Sequence, residues 1–469
     1  MSRFIYPSFK AVRVINTWFV VYVLIRPVDR KEFEKRTFPH VYDVIVYKEA
    51  GHVYAKDASG NVICADSPTS CLQEAINYVN SGGLIFIKPG VYDIFNTVYI
   101  EQQNSNITIM GSGRSTVLKS YKTDDPPYMI RLNLAKGVTL RDFVADGNGI
   151  AYVNVRDSLM SFNAPTDLRL INLECFNTNT GACIDIGYAN LVYMEGLYLH
   201  DNGSIKMSDG IHVGFSKRVY LYNSHISENT DAGIAFDNCE DVVVENNYFF
   251  YNGMANIFIW SANSSIPGTL RSLIAGNHIV GKTGIWIGRY QNITTEPDGV
   301  NIVGNFIRDT YIGVRIDVGS NVKIVGNLIR GSNTAIKTSG WFVDISDNVI
   351  TDSQIGIDSQ SETTHIRNNI FVVVNTPITG MFRVVDSNMS FYNTPSVLNR
   401  NSGQVVILAN ATSVNVNHDL MCTPKKVLVT PLAQPPGLIW VNNITNTQFT
   451  INISTAPSID LPVAWYAEC

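Results

Sequence analysis

The chain has 469 residues, a formal net charge of -5 and 16% charged residues, against roughly 25% in a typical soluble protein. The small net charge and the lack of a Lys/Arg block argue against a nucleic-acid partner. Thirty-four Gly, 22 Tyr and 21 Phe residues are typical of many short strands joined by tight turns.

Residues 1–40 are predicted to be an attachment segment. Residues 12–25 are strongly apolar, but they contain Arg13 and Asn16 and are fewer than the roughly 18 residues needed to span a bilayer. The charged stretch that follows is not a signal-peptide cleavage site. Anchoring to a membrane and packing against a neighbouring protein both stay open. We expect residues 1–36 to dock into an assembly, a virion or a membrane-associated protein.

Residues 41–83 are predicted to form a small β-meander followed by a short helix. Leu72, Ala75, Ile76 and Val79 have the spacing of one helix face. The end of a stack of strands exposes unpaired edges, so we expect this helix to cap the repetitive region that follows.

Residues 84–395 are repetitive. One phrase, such as IVGNFI at 302–307, places an Asn inside an apolar strand every 21 to 30 residues. The predicted ladder positions are Asn223, Asn247, Asn277, Asn305, Asn327, Asn348 and Asn369. In a solenoid, equivalent Asn amides on coils about 4.8 Å apart can hydrogen-bond along the stack.

A second strand phrase recurs within the same coils. Its copies include ACIDIG at 182–187, DGIHVG at 209–214, AGIAFD at 232–237, ANIFIW at 255–260 and TGIWIG at 283–288. Two strand phrases per coil without helical periodicity favour a β-helix. A leucine-rich repeat is the competing architecture, but it needs a Leu-dominated pattern, whereas these strands use Ile and Val.

The stretch YDVIVYKE, VYAKDASGNVI and LQEAINYVNSGGLIFIKPGVYDI resembles the entry into right-handed parallel β-helices of the pectate-lyase-like superfamily. The resemblance covers about residues 41–395 and implies that fold. It does not imply one activity, because the superfamily includes lyases, hydrolases, viral tailspikes and adhesins without catalysis.

After about residue 400 the repeat stops, and alternating strands are divided by Pro, Gly and Asn turns. About six strands in a compact β-domain are predicted for residues 400–469. The phrases VNVNHDL, KVLVTP, WVNNIT, FTINIS and AWYAE resemble the β-sandwich of H-type lectins. That resemblance implies a domain that forms trimers and binds sugar. The predicted fold class is therefore all-β, a right-handed parallel β-helix with an N-terminal capping helix and a C-terminal β-sandwich.

Aligning the second phrase predicts an outward-facing column. Its members are Asp185, His212, Ala235, Phe258, Trp286, Arg315, Lys337 and Asp358. Asp237 and Trp260 occupy the next outward position. We predict that Phe258, Trp260, Trp286, Tyr290 and Arg315 bind a glycan, because aromatic faces stack on sugars and polar groups bind their hydroxyls.

Asp185, Asp209, His212 and Asp237 form the candidate acid/base cluster beside these aromatic residues. Two carboxylates at a suitable separation hydrolyse a glycosidic bond, and a histidine beside a carboxylate can act as a base. The alternative is that these side chains are solvated decoration on a solenoid face. No cofactor or metal ligand set is expected.

Seven cysteines leave an odd thiol. The spacing suggests disulfides between Cys64 and Cys71 and between Cys422 and Cys469, with free buried thiols as the alternative. Cys175 and Cys183 are also close in sequence.

Three functional hypotheses follow. The first is a homotrimeric spike on an extracellular or virion surface, of an archaeal virus or cell, that binds host or cell-surface glycans. The second is a polysaccharide lyase or glycoside hydrolase acting in a groove on the β-helix. The third is a purely structural capsid or surface-layer component.

Overall fold

The computed structural model describes residues 42–122, 128–149, 158–179, 181–203, 208–391 and 395–469, together with two short strands near the N-terminus. The chain divides into two compact units, Met1–Val41 and Tyr42–Cys469. In the first unit, strands Arg13–Val14 and Thr17–Trp18 pair antiparallel. The rest of the predicted attachment segment lies outside the described residues. Within the described ranges, no helix is both long and apolar enough to cross a membrane.

The second unit is mainly a parallel β-helix with three sides, on which successive coils add one strand per side. Side 1 is a 16-stranded sheet. Its parallel strands are Val44–Glu49, Gly83–Ile87, Ile107–Met110, Thr139–Arg141, Thr166–Ile171, Asn190–Glu195, Lys217–Tyr222, Glu240–Glu245, Leu270–Ala275, Asn301–Val303, Lys323–Val325, Asp344–Ser346, His365–Arg367 and Val384–Asp386. Strands His52–Asp57 and Val62–Ala65 extend it antiparallel at the N-terminal end.

Sides 2 and 3 are joined in a 21-stranded sheet. The strands of side 2 are Gly90–Ile94, Thr116–Ser120, Val144–Asp146, Glu174–Phe176, Tyr198–His200, His225–Ser227, Tyr248–Phe250, Leu328–Arg330 and Met389–Phe391. The strands of side 3 are Val98–Ile100, Ile130–Asn133, Met160–Asn163, Ile184–Gly187, Ile211–Gly214, Ala232–Asp237, Ala255–Trp260 and Thr334–Thr338. Four longer strands run along both sides: His278–Ile287, Phe306–Ile316, Val349–Gln360 and Ile370–Met381.

Alternation along each strand explains why the coils stack. In Ile184–Gly187, for example, both Ile side chains are fully buried and Asp185 between them is half-buried. Inward Ile, Val and Leu residues from all three sides fill one continuous core. Because every coil is built from strands, the leucine-rich-repeat alternative does not describe the part of the chain that the structure covers.

The α-helix of the described chain runs from Leu72 to Val79, close to the predicted segment, and a single 3-10 turn follows at Gly113–Ser115. The helix buries Leu72, Ala75 and Ile76 in the same core as the coils. Its role as a cap of the stack stays a prediction.

A buried asparagine ladder runs through the turn between sides 1 and 2. Its members are Asn247, Asn277, Asn305, Asn327, Asn348, Asn369 and Asn388. Each Nδ2 donates to the Oδ1 of the next member at 2.9–3.0 Å. Each Oδ1 also accepts the preceding member's backbone N–H, so buried turn amides are satisfied side by side.

The placement of Asn223 in this ladder is wrong by one residue. Ser224 occupies the equivalent position, where its backbone N–H donates to Asn247 Oδ1 at 2.9 Å. Asn223 is exposed and has a φ of 49°, the left-handed conformation that Gly276 and Gly304 adopt just before their ladder members. Asn tolerates that conformation better than most residues, so it serves there as a turn residue.

A second, shorter ladder was not predicted. Asn202, Asn229, Asn252 and Asn256 are buried and linked from Nδ2 to Oδ1 at 2.8–2.9 Å. Its last step joins residues only four apart, which conceals the coil period in the sequence.

The C-terminal residues form two three-stranded antiparallel sheets. The first contains Arg400–Ile407, Leu461–Glu468 and Lys426–Pro431, and the second contains Ser413–Asn417, Gln448–Ile453 and Ile439–Asn442. Their buried residues, such as Phe449, Ile451 and Val463, make a core separate from that of the coils. The six strands agree in number with the sequence-based expectation.

Three disulfides are present in the described chain. Cys64 is bonded to Cys71 and Cys422 to Cys469, and a third bond joins Cys175 to Cys183. Cys239 is the remaining thiol and is buried, so burial raises its pKa to about 12.

Candidate functional site

The outward column on side 3 has the register expected from the aligned phrases. Asp185 pairs with His212, which pairs with Ala235, followed by Phe258, Trp286 and Arg315. In the neighbouring outward position, Asp237 pairs with Trp260. The parallel register therefore brings residues about 25 positions apart onto adjacent rungs.

His212 is held between two carboxylates from the rungs on either side. Its Nδ1 lies 2.8 Å from Asp185 Oδ1, and its Nε2 lies 3.3 Å from Asp237 Oδ2. Burial by itself lowers the pKa of His212, but the hydrogen bonds and charges of both aspartates outweigh it and hold the pKa well above 6.5. The imidazole is therefore a protonated ring that donates on both nitrogens near neutral pH.

Asp209 is the second unusual ionisable group of this side. Its Oδ1 accepts the backbone N–H of Ala232 at 2.8 Å. Although some of its surface still meets solvent, the carboxyl is densely surrounded by protein, and this burial raises its pKa to about 7. His212 opposes the rise, while the charges of Asp231 and Asp237 add to it. Asp209 is thus a carboxylic acid that can carry a proton at neutral pH.

Phe258 and Trp260 do not offer free aromatic faces, contrary to the predicted sugar-stacking role. They are 7% and 8% exposed, and their ring centroids lie 4.2 Å apart. With Ala232, Ala235 and Ala255 they form a small apolar cluster outside the solenoid core. The absence of a side chain at Gly288 lets the Trp260 ring pack onto the next rung. Both rings are therefore the floor of the site.

The accessible aromatic residues are Trp286, which is half-buried, and Tyr290, which is 51% exposed. Their rings lie 5.6 and 5.4 Å from that of Trp260, both edge-on. Beside Tyr290 opens a pocket of about 560 Å³. Its other lining residues include Asn292, Thr294 and Asp317.

Arg315 and Asp317 hold the Trp286 side chain in place. The guanidinium of Arg315 lies 4.0 Å from the centre of the Trp286 ring. Asp317 accepts hydrogen bonds from Trp286 Nε1 at 2.9 Å and from Arg315 Nε at 2.8 Å. Asp317 was not among the predicted site residues, although its position two residues after Arg315 places it on the same outward face.

The indole N–H of Trp260 is buried and has no hydrogen-bond partner among the described residues. A buried donor without an acceptor costs about 1–3 kcal/mol, so this atom is an unused polar group in the floor of the site.

Comparison with protein families gives one match. A family model described as a right handed beta helix region matches residues 129–298. This match and the parallel three-sided stack confirm the predicted right-handed parallel β-helix. No curated protein sequence matches the chain.

Several solved structures share the fold at low sequence identity. The A-module of the Azotobacter vinelandii mannuronan C-5 epimerase AlgE4 is 17% identical, with a TM-score of 0.57 over 67% of this chain and 95% of that chain. The tailspike of E. coli bacteriophage HK620, in complex with a pentasaccharide, is 12% identical, with a TM-score of 0.56 over 88% of this chain and 92% of that one. The tailspike gp49 of Pseudomonas phage LKA1 is 11% identical, with a TM-score of 0.52 over 85% and 92%.

Proposed function

We propose that this protein is a surface spike of a virion or cell that binds glycans through side 3. One observation carries the proposal: half-buried Trp286 and exposed Tyr290 lie beside the ordered carboxylate of Asp317 on a rigid sheet. Ring faces and fixed hydrogen-bonding groups are the two elements that sugar recognition needs. The phage tailspike that holds a pentasaccharide supports it at the level of the fold.

The charge of this side favours a neutral glycan over an acidic one. Asp185 and Asp237 share a single cation, His212, while Asp317 is matched by Arg315. Asp209 and Asp231 lie nearby and add negative charge as they ionise. A uronate polymer would meet like charges here, whereas neutral hydroxyls can donate to the carboxylates.

We also propose that copies of the chain associate through side 2, as expected for the predicted homotrimer. One outward row on that side contains no acidic residue, Lys or Arg over nine successive rungs. In order it consists of Tyr198, His225, Tyr248, His278, Phe306, Leu328, Val349, Ile370 and Met389. Tyr248 and Met389 are 55% and 47% exposed. This long row, apolar except for its two histidines, fits an identical row of another copy.

The terminal parts complete this proposal. The C-terminal sheets would act as the lectin-like module that adds trimer contacts and sugar affinity. Residues 1–36 of the attachment segment would join the spike to its particle or membrane-associated partner. An archaeal virus or cell surface is the proposed setting.

The second candidate function is glycan cleavage. It is favoured by Asp209, whose pKa of about 7 suits a general acid, and by Asp237, whose negative charge contributes to that raised pKa. In that case Asp209 would protonate the leaving oxygen, and Asp237 or Asp185 would take a proton from the water that attacks the anomeric carbon as the glycosidic bond breaks.

The test is a panel of neutral and uronate polysaccharides, scored at once for binding and for reducing-end or unsaturated products. The proposal expects neutral glycans to bind without product, and Trp286→Ala to weaken binding about tenfold. Trp341→Ala is the matched control, because Trp341 is exposed outside the site. Equal binding by both variants would refute the side 3 site. Product that disappears in Asp209→Asn would establish the cleavage function instead, and no affinity for any glycan would leave a structural component.

A further inference from the structure

Side 1 carries a cleft of about 360 Å³ that lies on different strands from the side 3 site. It is lined by Asp167, Arg169, Leu191, Tyr193, Tyr220 and Tyr222. We infer that this cleft is a second glycan-binding site, which takes a neutral sugar unit against its tyrosine rings. Its volume falls in the range of about 300–1,000 Å³ that is typical of small-molecule sites.

Three adjacent rungs build the cleft. Arg169 pairs with Tyr193, and Tyr193 pairs with Tyr220, so the three side chains follow one another along the outer face. The ring of Tyr222 lies 5.7 Å from that of Tyr193 and 6.3 Å from that of Tyr220, nearly parallel to the latter. The three rings thus line one cleft.

One residue in left-handed conformation on each of two strands forms the opposite edge. Thr166 pairs with Asn190 and Leu168 with Val192, so Asp167 and Leu191 fall between paired positions, with φ values of 55° and 70°. Each of them stands two residues before an outward residue of the cleft, Arg169 or Tyr193. Asp167 and Leu191 therefore line the cleft beside Arg169 and Tyr193.

The polar groups of the cleft suit hydroxyls. The hydroxyl of Tyr193 is engaged, because it donates to Glu195 at 2.7 Å. Within the described residues, the hydroxyls of Tyr220 and Tyr222 make no hydrogen bond. They are available to exchange hydrogen bonds with a ligand whose body packs on the rings.

The charges of the cleft exclude an acidic ligand as its preferred occupant. Arg169 Nε lies 3.0 Å from Asp167 Oδ1, so the single cation of the wall is already neutralised. A neutral sugar has both an apolar C–H face for the rings and hydroxyls for the free phenols. This inference does not depend on the side 3 site, since the two share no residue.

The experiment uses the full chain with cellohexaose, maltohexaose and mannohexaose as probes, followed by calorimetry and saturation-transfer NMR. We expect Tyr220→Ala to weaken binding at this site about tenfold, and Tyr220→Phe, which keeps the ring, to weaken it about threefold. Tyr311→Ala is the control, because Tyr311 is 63% exposed and lies outside the cleft. In tyrosine nitration followed by mass spectrometry, the bound hexasaccharide should protect Tyr220 and leave Tyr311 reactive.

The outcomes separate the two sites. Binding that is lost in Tyr220→Ala and retained in Trp286→Ala supports the cleft even if the side 3 proposal fails. Binding that is unchanged in Tyr220→Ala and Tyr220→Phe overturns the inference, as does a wild-type chain that binds none of the three hexasaccharides at millimolar concentration. The Tyr220→Phe variant keeps the test valid if Tyr220→Ala does not fold.

Discussion

Replacing one member of the asparagine ladder is expected to cost several kcal/mol of folding stability. Asn305 is 1% exposed. Its side chain donates to the carbonyl of Ile274 at 2.9 Å and to Asn327 Oδ1 at 3.0 Å. It also accepts the backbone N–H and the Nδ2 group of Asn277, both at 2.9 Å. Alanine at position 305 removes all four of these hydrogen bonds together.

The size of this loss in folding free energy follows from the buried polar groups that Asn305→Ala leaves without a hydrogen-bond partner. The buried backbone N–H of Asn277 loses its acceptor, which costs about 1–3 kcal/mol by itself. The Ile274 carbonyl and the Asn277 amide each lose one buried contact, at about 1 kcal/mol per hydrogen bond. Asn327 Oδ1 still accepts the backbone N–H of residue 305. The sum for Asn305→Ala is about 3–5 kcal/mol, which is large for a single substitution.

Urea denaturation, followed by circular dichroism, measures this loss. The matched control is Asn223→Gly, because Asn223 is exposed and occupies the left-handed position that glycine fills on later coils. That variant should stay within about 0.5 kcal/mol of the wild type. If Asn305→Ala and Asn223→Gly shifted the midpoint equally, the ladder would not carry the stability assigned to it.

Three further predictions concern other parts of the chain. Because the pKa of His212 is raised in the folded protein, its ion pairs stabilise the fold fully below pH 6.5 and lose this effect as the pH rises through the raised pKa. NMR should therefore show a protonated His212 ring at neutral pH, and Asp237→Asn should lower the pKa of His212. A His212 titration that is the same in both proteins would contradict this. The Cys422–Cys469 bond closes a loop with a separation of 47 residues, so Cys469→Ser should cost about 4 kcal/mol, seen as earlier urea unfolding of the C-terminal strands; an unchanged midpoint would contradict this. Leu328 is exposed in the row of side 2 that is proposed to join copies of the chain. Leu328→Glu would place a charge in that contact, so the mass measured by light scattering should shift toward the monomer. An unchanged mass would exclude that row from the interface.

The sequence alone predicts the repetitive parts of the structure, because each coil of a solenoid repeats the same pattern of strand and turn residues. Alternating Ile and Val residues predict the strands, and the buried Asn in the turns from Asn247 to Asn388 predicts the boundaries of the later coils. Where the pattern offers two neighbouring candidates, as at Asn223 and Ser224, only the turn geometry separates the ladder residue from the turn residue. The second ladder from Asn202 to Asn256 escapes detection because its spacing is irregular.

The candidate site also has features that the sequence predicts and features that only the tertiary structure determines. Period-two alternation along the strands is sufficient to place Asp185, His212 and Trp286 in one outward column. The burial of Trp260 depends on how its ring packs over a glycine of the next rung, and no local pattern contains that information. The tertiary structure also decides the electrostatics of His212 and Asp209, because each pKa reflects neighbours from other coils at distances that only the stack determines.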